Sequence, residues 1–254
     1  MRLDNYLTVN GYFDSRTKAK QAIERGEILV NGQIITKSSL EILSDVVIER
    51  KFKTEYVSLG GFKLEKALSD FSFCVENLVI ADIGSSTGGF TDCLLQKGAK
   101  KVFSVDLRDD LLHSKLMGDN RVSMLVKNAK ELKIDDFNDK LDLVVADLSF
   151  ISISQVVDVF YNLLDDGGRA IILIKPQFET GKRQKFKNGI IRDRKIQKQV
   201  CENVYNLLVS KKLYPQAITT APLYQDKNIE YLILIQKNGD LKLKNDFFSK
   251  ISFE

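Results

Sequence analysis

The sequence has one histidine, His113, and three cysteines, Cys74, Cys93 and Cys201, spread without a CxxC pair. An odd, widely spaced set supports no disulfide framework, and a single imidazole without paired thiols supports no zinc site, so no metal is expected. Long apolar runs are missing as well. Stretches such as "LVVA" and "AIILI" fall far short of the roughly 20 residues that a membrane-spanning helix needs. The first residues, "MRLDNYLTVNGYFDSR", do not place a basic segment before an apolar one, so no signal peptide and a cytoplasmic location are expected.

What is present is enough for a real core: 254 residues, 44% of them hydrophobic, sufficient for one large domain or a medium one with a small companion. The formal net charge of +4 is only mildly basic. Its distribution says more, because basic residues gather in "SRTKAK" (15–20), "ERKFK" (49–53) and "GKRQKFK" (181–187). Such clusters suit a polyanion, and on charge alone they suit solvated faces equally well.

The first fifty residues predict a small α+β unit. Leu3, Tyr6, Leu7 and Val9 recur at helical spacing. Asp14 or Ser15 can cap a second helix, "RTKAKQAIERG", which Gly26 ends. Asn31-Gly32 inside "EILVNGQIIT" suits a tight hairpin, and "DVVIER" adds a strand. The pattern R-L-D-x-x-L, then S-R-x-x-A-x-x-x-I-x-x-G-x-I-x-V-N-G, resembles the S-four-type RNA-binding domain. That resemblance implies RNA phosphate contacts at Arg2, Ser15, Arg16, Lys18 and Lys20. The expected division is an RNA-binding domain over 1–53, a linker over 54–59 and a second domain over 60–254.

From residue 60 apolar strands alternate with amphipathic helices. The strands are "NLVIADIG", "KKVFSVDL", "VSMLVKNA", "LDLVVADL", "GGRAIILIKP", "YPQAITTAPL" and "IEYLILIQK"; helices lie over "FKLEKALSDF", "GFTDCLLQKG" and "SISQVVDVFYNLL". This rhythm predicts a doubly wound, Rossmann-like α/β domain with a parallel sheet covered on both faces. Ligands of such sheets bind outside the carboxyl ends of the strands.

The first of these strand ends opens into "DIGSSTGGF" (82–90), where Gly84, Gly88 and Gly89 let a ligand approach the backbone. Asp106, ending the next strand, is placed to hold ribose hydroxyls. These two features leave a nicotinamide dinucleotide, a nucleotide phosphate and S-adenosylmethionine all open. The later ends discriminate better. Asp147 closes one strand, Lys175 the next, Glu230 precedes the last, and Lys63 opens the helix before the first. Two lysines and two carboxylates around one cleft suit removal of a hydroxyl proton, with the neighbouring charges tuning the amine that takes it.

The order Lys63, Asp147, Lys175, Glu230 resembles the K-D-K-E tetrad of FtsJ-like ribose 2'-O-methyltransferases. Together "VSLGGFKLEKAL", "DIGSSTGGFTDCLL", "ADLSFISI", "LIKPQFE" and "KNGIIRD" are similar to the TlyA family, which joins the same RNA-binding module to the same catalytic domain. The resemblance implies an S-adenosyl-L-methionine-dependent enzyme that methylates cytidine 2'-hydroxyls in ribosomal RNA, for a chain this short the large-subunit 23S RNA. It implies Lys63, Asp147, Lys175 and Glu230 as the catalytic residues. It also implies a cofactor site of Asp82, Gly84, Ser85, Ser86, Thr87, Gly88, Gly89, Phe90, Asp106, Asn128 and Asp147, with ribosomal RNA or a ribosomal subunit as partner.

Three rival readings fit less well. A membrane-active haemolysin, a name that members of the family have carried, would need an apolar span or a strongly amphipathic helix with a broad apolar face, and the sequence offers no candidate. A non-catalytic RNA-binding assembly factor would break the tetrad or the Gly-rich loop, and both are intact. A nicotinamide oxidoreductase leaves the RNA-binding domain and the two lysines unexplained.

Overall fold

The computed structural model divides the chain into two compact units, Met1–Glu55 and Tyr56–Glu254. It describes every residue except 14, 25, 43–45, 51–55, 182–185, 187–188, 225–226, 250 and 254, together with the side chains of 21 and 50. Asp14 as a helix cap therefore lies outside the described residues, as do Asp45 of "DVVIER", most of "GKRQKFK" and the end of "ERKFK".

The first unit packs helices α1 (Leu3–Val9) and α2 (Arg16–Glu24) with a three-stranded antiparallel sheet of β1 (Ile28–Val30), β2 (Gln33–Ile35) and β3 (Ile48–Arg50), in the order β2-β1-β3. Its core is the apolar spacing of the sequence: Leu3 and Leu7 from α1, Ala19, Ala22 and Ile23 from α2, and Ile28 from β1 are fully excluded from solvent. Asn31 and Gly32 both take positive φ, 51° and 77°, and close the β1–β2 hairpin in the mirror-image turn whose twist matches the strands. Ser15 caps α2, its hydroxyl accepting from the Lys18 N–H at 3.3 Å.

The second unit is built on β4 (Val79–Ile83), β5 (Lys101–Asp106), β6 (Val122–Val126), β7 (Leu143–Ala146), β8 (Arg169–Ile174), β9 (Leu213–Thr220) and β10 (Tyr231–Lys237). They form one sheet in the order β6-β5-β4-β7-β8-β10-β9. The helices are α3 (Gly60–Asp70), α4 (Gly89–Gln96), α5 (Ser114–Met117), α6 (Val157–Leu163), α7 (Pro176–Glu179), α8 (Arg194–Ser210) and α9 (Lys244–Phe248). Two apolar clusters cover the sheet, one including Leu64 of α3 and Leu94 of α4, the other Phe160 of α6 and Leu208 of α8. Burying each such side chain contributes about 1.5–3 kcal/mol.

Two expectations need correcting, and one helix lies outside them. The sheet is parallel from β6 through β8, but β10 runs antiparallel to both β8 and β9, so it is mixed rather than wholly parallel. The seventeen-residue α8, capped by Asp193 accepting from Lys195 and Ile196 N–H groups, had not been anticipated. Tyr56, placed in the linker by the sequence reading, is a core residue of the second unit. Its ring packs edge-on against Phe62 with centroids 5.1 Å apart, and its hydroxyl donates to Glu65 Oε1 at 2.8 Å. Gly61 makes room for it: a Cβ there would lie 2.3 Å from the ring.

The chain leaves β4 toward β5 and β6, then returns to the other side of β4 as β7. The switch point of the parallel sheet is thus between β4 and β7, where Ile83 pairs with Ala146.

Candidate active site

The carboxyl ends of β4 and β7 nearly touch. Gly84 has φ +84°, and a Cβ on it would lie 2.8 Å from the Asp147 carbonyl oxygen, so only glycine lets the two strand ends come this close. Asp106 fastens the loop that follows, accepting from Ser86 N–H at 2.9 Å through Oδ2 and from Leu107 N–H at 2.7 Å through Oδ1. Each oxygen keeps a lone pair, so the carboxylate can still receive a vicinal diol. Thr87 lends its carbonyl to His113 N–H at 3.2 Å, and Gly88, with φ +91°, is the N-cap residue just before α4. Asn128, just past β6, caps a 3₁₀ turn through Oδ1, which accepts from Lys130 N–H at 3.0 Å.

Asp82 lies beneath this loop, fully buried on β4. Its Oδ2 accepts from the Thr91 hydroxyl at 2.6 Å, and Thr91 in turn meets Ser104 Oγ at 2.8 Å. Burial pushes the Asp82 carboxyl up to about 7 against the Thr91 bond, with Asp147 and Asp106 adding to the rise. Among the described residues, Asp82 Oδ1 and Ser85 Oγ are buried without a hydrogen-bond partner. Orphaned polar atoms under a loop cradled by glycines, with a carboxylate beside it, fit a ligand that brings an amine and a ribose. Two residues expected in this site turn into the protein instead. A Cβ on Gly89 would meet Ser58 Oγ at 2.2 Å, so Gly89 serves helix packing, and the Phe90 side chain, 2% exposed, belongs to the core.

The four charges converge. Lys63 Nζ, on the first turn of α3, lies 2.7 Å from Glu230 Oε2 and 3.7 Å from Asp147 Oδ2. Lys175 Nζ lies 2.5 Å from Asp147 Oδ1, so Asp147 bridges the two lysine nitrogens. The Lys175–Asp147 contact is a charge pair off the hydrogen-bond line; the directed bond of Lys175 goes to Ser149 Oγ at 2.7 Å. At 9% side-chain exposure Lys175 is the most enclosed of the four, the others standing at 15–18%. Burial works to lower the pKa of Lys63, but Asp147 and Glu230 outweigh it, and the net shift is upward. Lys63 therefore stays an ammonium.

Side chains at the rim of this cluster were not singled out as site residues by the sequence reading. Phe150 is 90% exposed and holds φ +64°, a left-handed conformation that costs a non-glycine residue ~1–3 kcal/mol. Its ring lies 5.1 Å from that of Phe178, which in turn lies 6.0 Å from Lys175 Nζ. An aromatic ladder thus leads from solvent to the lysine. Ser149 was legible only as a neighbour of Asp147, and nothing in "LSF" announced a lysine partner.

In the first unit, Arg2 and Arg16 share one carboxylate. Asp4, 2% exposed, accepts from Arg2 Nε at 3.1 Å and from Arg16 Nε at 3.2 Å, while the two arginine side chains stay 46% and 55% exposed. The Arg2 hydrogen bond holds the Asp4 carboxyl below the usual range despite its burial. Lys18 and Lys20 are exposed on α2, Lys20 lying 3.7 Å from Glu24. Ser15 is engaged in capping, as described above. Asp4 is the organiser that the reading missed.

Comparison with known proteins matches residues 56–237 to the FtsJ-like methyltransferase model and residues 1–48 to the S4 domain. The chain belongs to the TlyA family of FtsJ-like methyltransferases. It is 40% identical to Hemolysin A of Brachyspira hyodysenteriae over 91% of this chain and 98% of that one. It is 30% identical to the 16S/23S rRNA (cytidine-2'-O)-methyltransferase TlyA of Mycobacterium tuberculosis, over 95% of this chain and 92% of that one. A solved structure from Streptococcus thermophilus that carries the hemolysin label is 35% identical, with a TM-score of 0.75 over 95% of this chain and 90% of that one. The family is S-adenosylmethionine-dependent, which agrees with the donors and orphaned acceptors around the Gly-rich loop. Among the described residues no helix is long and apolar enough to cross a membrane.

Proposed function

We propose that this protein transfers a methyl group from S-adenosylmethionine to the 2'-hydroxyl of a cytidine in ribosomal RNA, in the large-subunit 23S RNA first of all. The observation that carries this reading is the Lys63–Asp147–Lys175–Glu230 cluster at the switch point of the sheet, beside the Gly-rich loop. When bound, S-adenosylmethionine supplies an electrophilic methyl group on a sulfonium. The target 2'-hydroxyl then needs to be aligned with that methyl and relieved of its proton as the oxygen–carbon bond forms.

Lys175 accepts that proton as a neutral amine, having first given up its own, or, while still charged, lowers the hydroxyl's pKa. Asp147, touching both lysines, orients Lys175. Lys63 stays protonated and offsets charge building on the oxygen, and Glu230 holds Lys63 in place. Phe150 offers an exposed ring on which the target cytosine stacks once it leaves its helix, the way RNA-binding proteins hold splayed-out bases. The exposed Arg2, Arg16, Lys18 and Lys20 meet RNA phosphates, and the protein works in the cytoplasm, where ribosomes are made.

The mycobacterial relative's name covers both subunits' RNA, so the deciding experiment maps 2'-O-methylation across 16S and 23S rRNA in cells with and without the protein. A cytidine 2'-O-methyl group in 23S rRNA that vanishes with the protein is the expected result. An unchanged map, together with no methyl transfer by purified protein to naked rRNA or to ribosomal subunits, rejects the reading.

A further inference from the structure

The segment between β7 and the 3₁₀ turn at Ile153–Gln155 holds Phe150 in a left-handed conformation with its ring in solvent. A bulky side chain keeps such a backbone only where its surroundings over-determine it. The supports come from residues 175–179, at the end of the neighbouring strand. Just before Phe150, Ser149 Oγ accepts from Lys175 Nζ at 2.7 Å. Just after it, Glu179 accepts from two donors: the Ser152 hydroxyl at 2.7 Å through Oε2 and the Ile153 N–H at 3.0 Å through Oε1.

Ser152 is also the cap of the 3₁₀ turn, its hydroxyl accepting from Ser154 N–H at 3.2 Å. The Glu179 carboxylate therefore fixes the point at which an irregular segment becomes helical. Burial pushes its pKa up while the two donors work against the rise. Phe178, next to it in the chain, places its ring against Phe150. Lys175 has a part in the chemistry above. Glu179 has none, yet its two bonds are spent on the segment that carries Phe150.

We propose that Glu179 is a positioning residue for RNA engagement: it locks the Ser149–Ile153 segment in the conformation that presents Phe150 to the target base. This rests on the reading of Phe150 as the surface that receives that base. Glu179 then sets how often the target ribose is delivered to Lys175, and it leaves the cofactor site alone.

The test uses the full chain, 23S rRNA and S-adenosylmethionine. Glu179→Ala should lower kcat/KM for the RNA at least tenfold, with S-adenosylmethionine affinity by calorimetry within twofold of the parent. Glu179→Gln keeps an acceptor for the Ile153 N–H and can donate to Ser152 Oγ, so it should restore most of the loss. In a Phe150→Ala background, Glu179→Ala should cost less than a further twofold. A normal kcat/KM in Glu179→Ala, or its full cost in the Phe150→Ala background, overturns the proposal. Should Glu179→Ala fail to fold, Ser152→Ala removes one of the two bonds and should lower kcat/KM in the same Phe150-dependent way; a normal Ser152→Ala enzyme then overturns it. If Phe150→Ala is itself fully active, the base-stacking reading falls. If Phe150→Ala is impaired and Glu179→Ala is not, only the present inference does.

Discussion

Lys63 Nζ and Glu230 Oε2 lie 2.7 Å apart, although one opens the helix before the first strand of the large sheet and the other precedes the last. The pair is mostly enclosed, and Lys63 is kept protonated by Glu230 and Asp147 together. Removing Glu230 leaves Lys63 its second partner, Asp147, at 3.7 Å. Glu230→Gln should therefore lower single-turnover methylation modestly, by about tenfold or less. Lys63→Met, which removes the charge itself, should cost more, about 10²-fold, on the scale of losing one preorganised donor at a developing oxyanion. Quench-flow assays of both variants on rRNA check the order of the two effects.

Lys175 stands in the more demanding position. It is the most enclosed of the four, held by Asp147 and Ser149. Lys175→Met keeps side-chain length and removes both basicity and charge. It should lower the single-turnover rate about 10²-fold or more, the usual scale for losing an acid–base group. Cofactor affinity should survive. A variant of normal rate would exclude Lys175 as the proton acceptor.

Much of this site was legible in the sequence because strand ends are legible. A buried run such as "LVVA" that stops on Asp147, or "AIILI" that stops on Lys175, announces where a charge leaves the sheet, and a doubly wound order gathers those ends on one side. What was not legible depends on information that a residue pattern does not carry. Apolar runs do not encode strand direction, so β10, which alone runs against its neighbours β8 and β9, passed for parallel. The positive φ of Phe150 cannot be read from a phenylalanine, so its exposure was hidden inside "LSFIS". Gly89 and Phe90 belong to the Gly-rich motif but face the helix packing, because α4 begins at Gly89 and turns them inward.

Asp106 holds the Gly-rich loop through the Ser86 and Leu107 amides, and in the proposed reading it receives the cofactor ribose. Asp106→Ala should weaken S-adenosylmethionine binding at least tenfold, about 1.4 kcal/mol. Asp106→Asn, which still accepts one amide bond, should fall between the two. Titration calorimetry decides, and unchanged affinity in a folded Ala variant would remove Asp106 from the ribose site.

The S4 domain should supply RNA affinity and little else. Arg16→Ala combined with Lys18→Ala removes two exposed cations from α2 and should flatten the slope of log affinity against log salt by about one to two. Asp4→Ala frees Arg2 and Arg16 from their shared carboxylate without removing a cation. It should reduce affinity through misplacement while leaving the slope nearly intact. Filter binding of 23S rRNA fragments over a salt series separates the two outcomes.

Asp82 gives a pH dependence whose sign is fixed by its burial. Its carboxyl is pushed up to about 7 in the folded chain, against an ordinary value of 3.8. Between those values the folded state holds a proton that the unfolded state has lost, so Asp82 costs stability as pH rises through the window. The full cost is present above pH 7 and absent below about pH 4. Asp82→Asn keeps an acceptor for the Thr91 hydroxyl and never ionises. It should stabilise the apo protein at pH 8 by on the order of 2–4 kcal/mol, with the gain shrinking toward zero at pH 4. Urea unfolding of the two proteins at several pH values measures this. A gain that does not vary with pH would place the ionisation elsewhere, and a loss of stability at pH 8 would mean that the buried carboxylate is held by charge rather than merely tolerated.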